Sequence, residues 1–344
     1  MDILSLSPQE LEEILLTINQ PKYRAGQIFG ALHSGKKINE ISNISKDLKE
    51  YLNNTFSDMR VEIIKEHCSP DGTVKYIYKL FDSNIIEGVL MQYKHGSTLC
   101  VSTQVGCRMG CAFCASGLDG LIRNLSAGEI LSQVIMVNAH LGGNPKERKI
   151  TNIVLMGSGE PLDNYDNVVK FIRLVNYKDG INISTRNISL STCGLSDKIK
   201  SLAAEGFGLN LSLSLHAPND KIRNEIMPIS RAHDLDKLMK SLRYYFEKTK
   251  RRIIIEYILL KDINDSLKDA DELSRLTKGL PCHINVINYN AVAEKPFEKS
   301  RNGVAFVKRL VENGSSATMR RTMGDDISGA CGQLRLRYVG DRKE

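Results

Sequence analysis

The chain has 344 residues, of which 42% are hydrophobic and 25% are charged, as in an ordinary globular protein. Its formal net charge of +7 is typical either of a protein that binds a polyanion such as RNA or of an ordinary protein with excess lysine. Its apolar runs fall short of the ~20 residues that cross a bilayer, and its start lacks a signal-peptide pattern, which excludes the membrane-spanning and secreted classes. In the cytoplasmic protein that this predicts, the eight cysteines indicate metal or redox chemistry rather than a disulfide scaffold.

Residues 1–58 are predicted to form a small helical accessory domain. Pro8 follows Ser7 at the start of a run with leucine and isoleucine at helical spacing, a pattern typical of the first turn of a helix. A second helix is predicted to begin at Tyr23 and a third at Ser45.

Residues 59–96 are predicted to be a β-rich extension that connects these helices to the core. The runs 61–64, 73–80 and 85–91 are rich in β-branched and aromatic residues, and Asp71-Gly72 is a turn signal between the first two. We expect these runs to pair as a hairpin or a meander.

Residues 97–334 alternate between strand-like and helical runs, which predicts a parallel α/β sheet. One helix is predicted from a capping box at Ser126 to about His140, and another ends before Gly206. The predicted strands are 99–103, 150–156, 187–191, 209–215, 253–259, 283–289 and 318–321. Residues 335–344 are predicted to be a C-terminal tail.

Three cysteines after the first strand of this core are the strongest sign of chemistry. The run Cys107-Arg-Met-Gly-Cys111-Ala-Phe-Cys114 has the spacing C-x3-C-x2-C, one thiolate short of the four that fill a 4Fe-4S cluster. One iron of such a cluster would have no protein ligand and could bind a small molecule. A zinc ion with a distant fourth ligand is the alternative at this point.

Polar residues and glycines follow most of the other core strands. The carboxyl ends of parallel strands carry the working residues of α/β proteins, because these ends share one face of the sheet. Each of these residues alone is explained by a turn, a strand-end cap or a packed histidine, but together they predict a site for a zwitterionic ligand. They are Gly159, Glu160, Ser191, Ser214, His216 and Asn290.

The cysteine run resembles the signature of radical S-adenosylmethionine (SAM) enzymes. Longer motifs, in order along the chain, resemble the RlmN/Cfr family of RNA adenine methyltransferases within that superfamily. These motifs occupy residues 102–107, 123–125, 156–162, 214–220 and 324–334. The resemblance covers nearly the whole chain and implies a partial (βα)6 TIM-like radical SAM barrel, more open than a closed eight-stranded barrel.

The resemblance also implies the cofactors and the residues that hold them. Cys107, Cys111 and Cys114 would ligate a 4Fe-4S cluster whose open iron binds S-adenosyl-L-methionine, and each turnover would use two molecules of this cofactor. Glu160 would pair with the α-amino group of the cofactor. The residues implied around the cofactor are Gly159, Glu160, Ser191, Ser214, Leu215, His216 and Asn290.

Three residues outside the cysteine loop would carry the methyl transfer in such an enzyme. Cys331 would accept a methyl group from one cofactor molecule, because C2 of adenine is too electron-poor to attack a sulfonium itself. After that carbon has been joined to the RNA, Cys100 would attack the sulfur of Cys331 and release the product, leaving a transient Cys100–Cys331 disulfide. Glu87 matches the position that the resemblance implies as proton acceptor. The alternative is that Glu87 is an exposed carboxylate on a strand without a role in the reaction.

The family has two branches, which methylate C2 or C8 of an adenosine in 23S rRNA at the peptidyl transferase centre. The C2 branch also methylates the adenosine next to the anticodon in some tRNAs. Residues 159–162 and 324–327 resemble the C2 branch, and we expect C2 methylation here. The alternatives are the C8 branch and, in a different class, a non-catalytic zinc-stabilised RNA-binding protein.

The resemblance further implies the partners of the protein. These are 23S rRNA, tRNA and an electron donor such as a flavodoxin or ferredoxin, and we expect a monomer without membrane association. We expect the N-terminal helices and the basic segments 146–149, 248–252 and 335–337 to contact the RNA.

Overall fold

The structure is a computed structural model that describes residues 1–94 and 96–334. The α-helices in this part of the chain are α1 (Pro8–Thr17), α2 (Tyr23–His33), α3 (Lys46–Thr55), α4 (Ala127–His140), α5 (Tyr165–Val175), α6 (Ser196–Ala204), α7 (Asp220–Ile226), α8 (Leu235–Thr249), α9 (Leu267–Thr277) and α10 (Gly303–Glu312). The strands are β1 (Glu62–Cys68), β2 (Val74–Lys79), β3 (Ile85–Tyr93), β4 (Gly96–Cys100), β5 (Gln104–Gly106), β6 (Leu121–Asn124), β7 (Asn152–Leu155), β8 (Ile188–Thr192), β9 (Asn210–Ser214), β10 (Ile253–Leu259), β11 (Cys282–Asn288) and β12 (Ala317–Met319). None of the described helices combines the length and the apolar character that a membrane span requires.

Ten strands form one open sheet in the order β1-β2-β3-β4-β7-β8-β9-β10-β11-β12. Neighbours from β1 to β4 pair antiparallel, and neighbours from β4 to β12 pair parallel. The predicted parallel α/β core is therefore confirmed. Its six strands are β4 and β7 to β11, and β12 extends it by a seventh.

The β-rich extension forms a meander that continues the core sheet. Strand β3 pairs with β4 so that Val89 lies opposite Cys100. The turn between β1 and β2 contains Gly72 with φ of +87°, a conformation that glycine adopts without steric cost. This pairing places Cys100 in the interior of the sheet, between β3 and β7, opposite Val89 on one side and Val154 on the other.

The N-terminal helices pack on the core through one continuous set of buried side chains, which includes Leu11, Phe29 and Leu52. Helix α1 begins with the predicted proline turn and a capping box. Helix α4 begins with the predicted capping box at Ser126, whose hydroxyl also donates to Asp2 Oδ2 at 3.1 Å. The boundary of an accessory domain at residue 58 stays a prediction.

Strands β5 and β6 form a separate hairpin that the sequence analysis did not predict. It frames the cysteine loop, and Cys107 N donates to Gly120 O at 2.9 Å to close the loop. Gly106 has φ of +76°, and a Cβ there would lie 2.0 Å from Gly120 O. Only glycine fits this position. Strands of three and four residues carry too little periodicity to be predicted.

The basic segment 248–252 lies just before β10, at the end of the parallel strands opposite to the cysteine loop. Within it, Arg252 donates to Ser316 Oγ at 2.6 Å and so links the start of β10 to the start of β12, across β11. A role of this segment in RNA binding stays a prediction. The segment 335–337 and the predicted tail 335–344 lie outside the described residues.

Candidate active site

The three cysteines of the loop line one cavity at the carboxyl ends of the parallel strands. Cys107, Cys111 and Cys114 are partly buried, and burial raises the pKa of all three thiols, that of Cys107 to about 12. A bound cation would reverse this effect, because it stabilises the thiolate form. Ala112 N donates to Ile226 O of α7 at 2.8 Å and fixes the middle of the loop.

The loop after β7 holds Glu160 against the same cavity. Gly159 has φ of +105°, and a Cβ there would lie 2.6 Å from Gln104 Cβ. The buried carboxylate of Glu160 accepts hydrogen bonds from Leu162 N at 3.1 Å and from Cys193 N at 2.8 Å. Burial nevertheless raises the pKa of Glu160. A cationic partner such as an ammonium group would therefore stabilise its ionised form.

The ends of β8 and β9 bring two predicted serines together, since Ser191 Oγ and Ser214 Oγ are 3.3 Å apart on the cavity wall. His216 also lines the cavity, and its Nδ1 accepts a hydrogen bond from Ile258 N at 3.1 Å. Burial lowers the pKa of His216 to about 3, so the imidazole is neutral and carries its proton on Nε2. Leu215 is buried in the hydrophobic core rather than on the cavity wall.

The loop of Cys331 is held from two sides. Next to it, Gly332 O accepts a hydrogen bond from Ala115 N at 2.8 Å, which links this loop to the end of the cysteine loop. Cys331 O accepts one from Asn290 Nδ2 at 3.2 Å. Asn290 therefore contacts the backbone of Cys331, and its side chain lines a neighbouring cavity rather than that of the three cysteines.

This neighbouring cavity contains Cys100 and shares Cys331 with the first cavity. Burial raises the pKa of Cys100 to about 12, and the charge of Cys331 acts in the same direction. Cys100 is therefore a protonated thiol at neutral pH. The structure brings the two cysteines of the predicted pair to one cavity, although they are far apart in the sequence.

Glu87 lies on β3 and is buried, so the alternative of an exposed strand carboxylate is wrong. Its carboxylate forms an ion pair with Lys75 Nζ at 3.2 Å. Lys75 Nζ also lies 3.5 Å from Ser328 O in the loop of Cys331, to which it donates. Glu87 is connected in this way to the Cys331 loop, and its role as proton acceptor stays a prediction.

The donor set fits an iron–sulfur cluster better than a single zinc ion. Among the described residues, no three His, Cys, Asp or Glu side chains form a group that could hold one metal ion. A zinc ion needs its ligands within about 2.3 Å of one centre, whereas each cysteine of a cluster ligates a different iron. Three partly buried thiols on the wall of one cavity supply the three ligands of a cluster that keeps one iron open.

Three charged residues of the site were missed by the sequence analysis. Glu256 and Arg320 line the cavity of the three cysteines, with Oε2 and Nη1 3.5 Å apart. Arg223 is fully buried and donates to the backbone carbonyl of Cys193, just after β8, at 2.6 Å. The available signal was a charge inside an apolar strand, since Glu256 interrupts the run Ile253–Leu259.

Comparison with known proteins identifies this site. Residues 101–273 match the Radical SAM superfamily. A protein of Alkaliphilus metalliredigens (strain QYMF) named "Probable dual-specificity RNA methyltransferase RlmN" is 48% identical over 100% of this chain and 97% of its own length. A protein of the same name from Clostridium novyi (strain NT) is 46% identical over 98% of both chains. A solved radical SAM methyltransferase from Sphaerobacter thermophilus superposes with a TM-score of 0.92 and 39% identity, over 97% of this chain and 99% of that one.

The fold and the cysteine cavity are those of the radical SAM superfamily, whose members use a 4Fe-4S cluster and S-adenosylmethionine. Within this superfamily, the chain belongs to the RlmN family of RNA methyltransferases. Membership confirms the resemblance, the radical SAM fold, the enzyme class and the cofactors. It also removes the non-catalytic zinc protein as an alternative.

Proposed function

We propose that the protein methylates C2 of a specific adenosine in 23S rRNA, at the peptidyl transferase centre, and of the adenosine next to the anticodon in some tRNAs. The curated relatives are named as dual-specificity RNA methyltransferases, which supports two kinds of RNA substrate. The choice of C2 rests on residues 159–162 and 324–327, which resemble the C2 branch.

One observation carries the proposal, namely that Cys331 lines both cavities. The first cavity holds the three loop cysteines and the strand-end residues, and the second holds Cys100. Of the described cysteines, Cys331 alone faces both. A methyl group on its sulfur could therefore be loaded and activated from one side, and the sulfur could be attacked by Cys100 from the other.

We assign the ligation of the cluster to Cys107, Cys111 and Cys114. When bound, the cluster and S-adenosylmethionine supply a 5′-deoxyadenosyl radical. Glu160 lines this cavity as a carboxylate that a cation would stabilise, which suits it to hold the α-amino group of the cofactor. The strand-end serines and neutral His216 offer hydrogen bonds without added charge.

Cys331 carries the carbon that joins the RNA. Its thiolate would displace the methyl group from the sulfonium, so that an S–C bond forms on Cys331 and S-adenosylhomocysteine leaves. Removal of a hydrogen atom from this methyl group lets the carbon add to C2 of the adenine. The adduct would then return one electron to the cluster and lose its C2 proton. Attack of Cys100 Sγ on Cys331 Sγ would break the S–C bond, and the released carbon would take up a proton to become the methyl group. The protein is left with a Cys100–Cys331 disulfide, which an electron donor reduces before the next turnover.

The test is mass spectrometry of nucleosides from 23S rRNA and tRNA. Cells that lack the gene are complemented with the wild type, with Cys331→Ala or with Cys68→Ala, an exposed cysteine on β1 that serves as control. We expect 2-methyladenosine with the wild type and the control, and none with Cys331→Ala. The appearance of 8-methyladenosine without 2-methyladenosine would assign the protein to the C8 branch and overturn the proposal.

A further inference from the structure

Arg223 is a buried cation on α7, beside the cysteine loop. Its side chain is 0% exposed. It donates hydrogen bonds to three backbone carbonyls, those of Leu215 at 3.2 Å, His233 at 3.3 Å and Cys193 at 2.6 Å. No carboxylate of the described residues forms an ion pair with it. The guanidinium therefore has hydrogen-bond partners but no compensating negative charge in direct contact.

A buried charge of this kind is unfavourable, because carbonyl dipoles replace only part of its hydration. Burial accordingly lowers the pKa of Arg223, while negative charge on Cys193, Cys111 or Asp220 acts in the opposite direction. Cys193 and Cys111 both line the cavity of the cysteine loop, so negative charge on that side of Arg223 would compensate its buried charge.

Helix α7 holds Arg223 close to that loop. Ile226, three residues further along the helix, accepts a hydrogen bond through its carbonyl from the N–H of Ala112, the neighbour of Cys111, at 2.8 Å. Cys193, which accepts from Arg223, lines the same cavity as the loop cysteines. Apolar side chains pack against the loop cysteines in this region, which keeps the effective dielectric constant low.

We propose that Arg223 sets the reduction potential of the iron–sulfur cluster, as a fixed positive charge that favours the reduced state. The inference rests on the proposed function in one respect, the ligation of the cluster by Cys107, Cys111 and Cys114. Reduction adds one electron, from a low-potential protein donor, to a centre that already has three thiolate ligands, and Arg223 itself is not oxidised or reduced.

The size of the effect follows from Coulomb's law. A unit charge roughly 10 Å from the cluster, at an effective dielectric constant of about 20, shifts the one-electron equilibrium about tenfold. For a one-electron couple, a tenfold change corresponds to about 59 mV.

The experiment is a redox titration of the full-length protein, reconstituted anaerobically and followed by electron paramagnetic resonance without S-adenosylmethionine. We expect the midpoint potential of Arg223→Gln to lie below that of the wild type by about 59 mV, and that of Arg223→Lys to stay close to it. Arg148→Gln is the control. Arg148 also donates to a backbone carbonyl, that of Ile181, but it precedes β7 and so lies at the end of the parallel strands opposite to the cysteine loop. Equal potentials for Arg223→Gln and the wild type would overturn the inference.

A second measurement decides the question if Arg223→Gln does not retain the cluster. The pKa of a buried lysine is lowered by desolvation, so raising the pH neutralises the side chain of Arg223→Lys within one folded protein. Its potential should then fall more steeply with pH than that of the wild type, and parallel pH dependences would overturn the inference. A wild-type protein that binds no cluster would instead contradict the proposed function.

Discussion

Burial determines the protonation states of the side chains around the two cavities. It lowers the pKa of His216 to about 3, which leaves the imidazole neutral at physiological pH, and it raises the pKa of Cys100 to about 12. His216 can therefore donate a hydrogen bond without adding charge to the site. Cys100 must lose its proton before it can attack the sulfur of Cys331 in the proposed reaction, because the thiolate is the nucleophile.

The protonation of Cys100 predicts how product release depends on pH. The thiolate fraction of a thiol with a pKa of about 12 grows roughly tenfold per pH unit below that value, so release of RNA from Cys331 should accelerate with rising pH in that proportion. Cys100→Ala should accumulate a covalent protein–RNA adduct, visible on a denaturing gel with labelled RNA.

The Cys68→Ala control should release RNA at the wild-type rate. Release that does not change between about pH 7 and about pH 9, where the thiolate fraction should grow about a hundredfold, would contradict the assignment of Cys100. Turnover by Cys100→Ala without an adduct would contradict it as well.

Which residues of the site could be predicted depends on where their partners lie. The C-x3-C-x2-C spacing is local, and Cys107, Cys111 and Cys114 could be identified from it at once. Arg320 and Arg223 could not, because each meets its partner only after strands distant in the sequence have paired. Arg320 meets Glu256 Oε2, and Arg223 meets the backbone carbonyls that follow β8 and β9.

Among the elements, the β5–β6 hairpin matters most for the cysteine loop, since it brings the two ends of the loop together. Long strands were predictable from the sequence, and β10 has the predicted bounds 253–259. The first core strand lies at Gly96–Cys100 rather than 99–103. It starts earlier because Gly96 pairs with Tyr93 of β3, and it ends earlier because the backbone N–H of Ser102 donates to Gln133 Oε1 (2.9 Å) instead of to a neighbouring strand.

The hairpin predicts a difference between two glycine substitutions. Gly106 and Gly120 both have positive φ, +76° and +71°, so replacement by alanine costs each a similar backbone strain of roughly 1–2 kcal/mol. A Cβ at Gly106 would also meet Gly120 O at 2.0 Å, whereas one at Gly120 has no neighbour within 4 Å. Gly106→Ala should therefore retain severalfold less iron than Gly120→Ala after anaerobic reconstitution, and equal iron contents would contradict this role of the hairpin.

At the scale of the whole molecule, one open sheet carries both cavities that Cys331 lines. The alternation of strands and helices predicted the parallel core, but it could not show that the meander β1–β3 continues the same sheet. That continuation pairs β3 with β4, the strand of Cys100, and Cys331 lines both the cavity of Cys100 and that of the three loop cysteines. The central position of Cys331 is thus a property of the whole fold.

The most direct test of this account is peptide mass spectrometry of the protein after anaerobic reaction with S-adenosylmethionine labelled in its methyl group, without RNA. The account predicts that the label appears as one methyl group on the peptide that contains Cys331 and passes to RNA when RNA is added. Labelled RNA from a protein that never carries the label on Cys331, or a label on Cys100 instead, would contradict it.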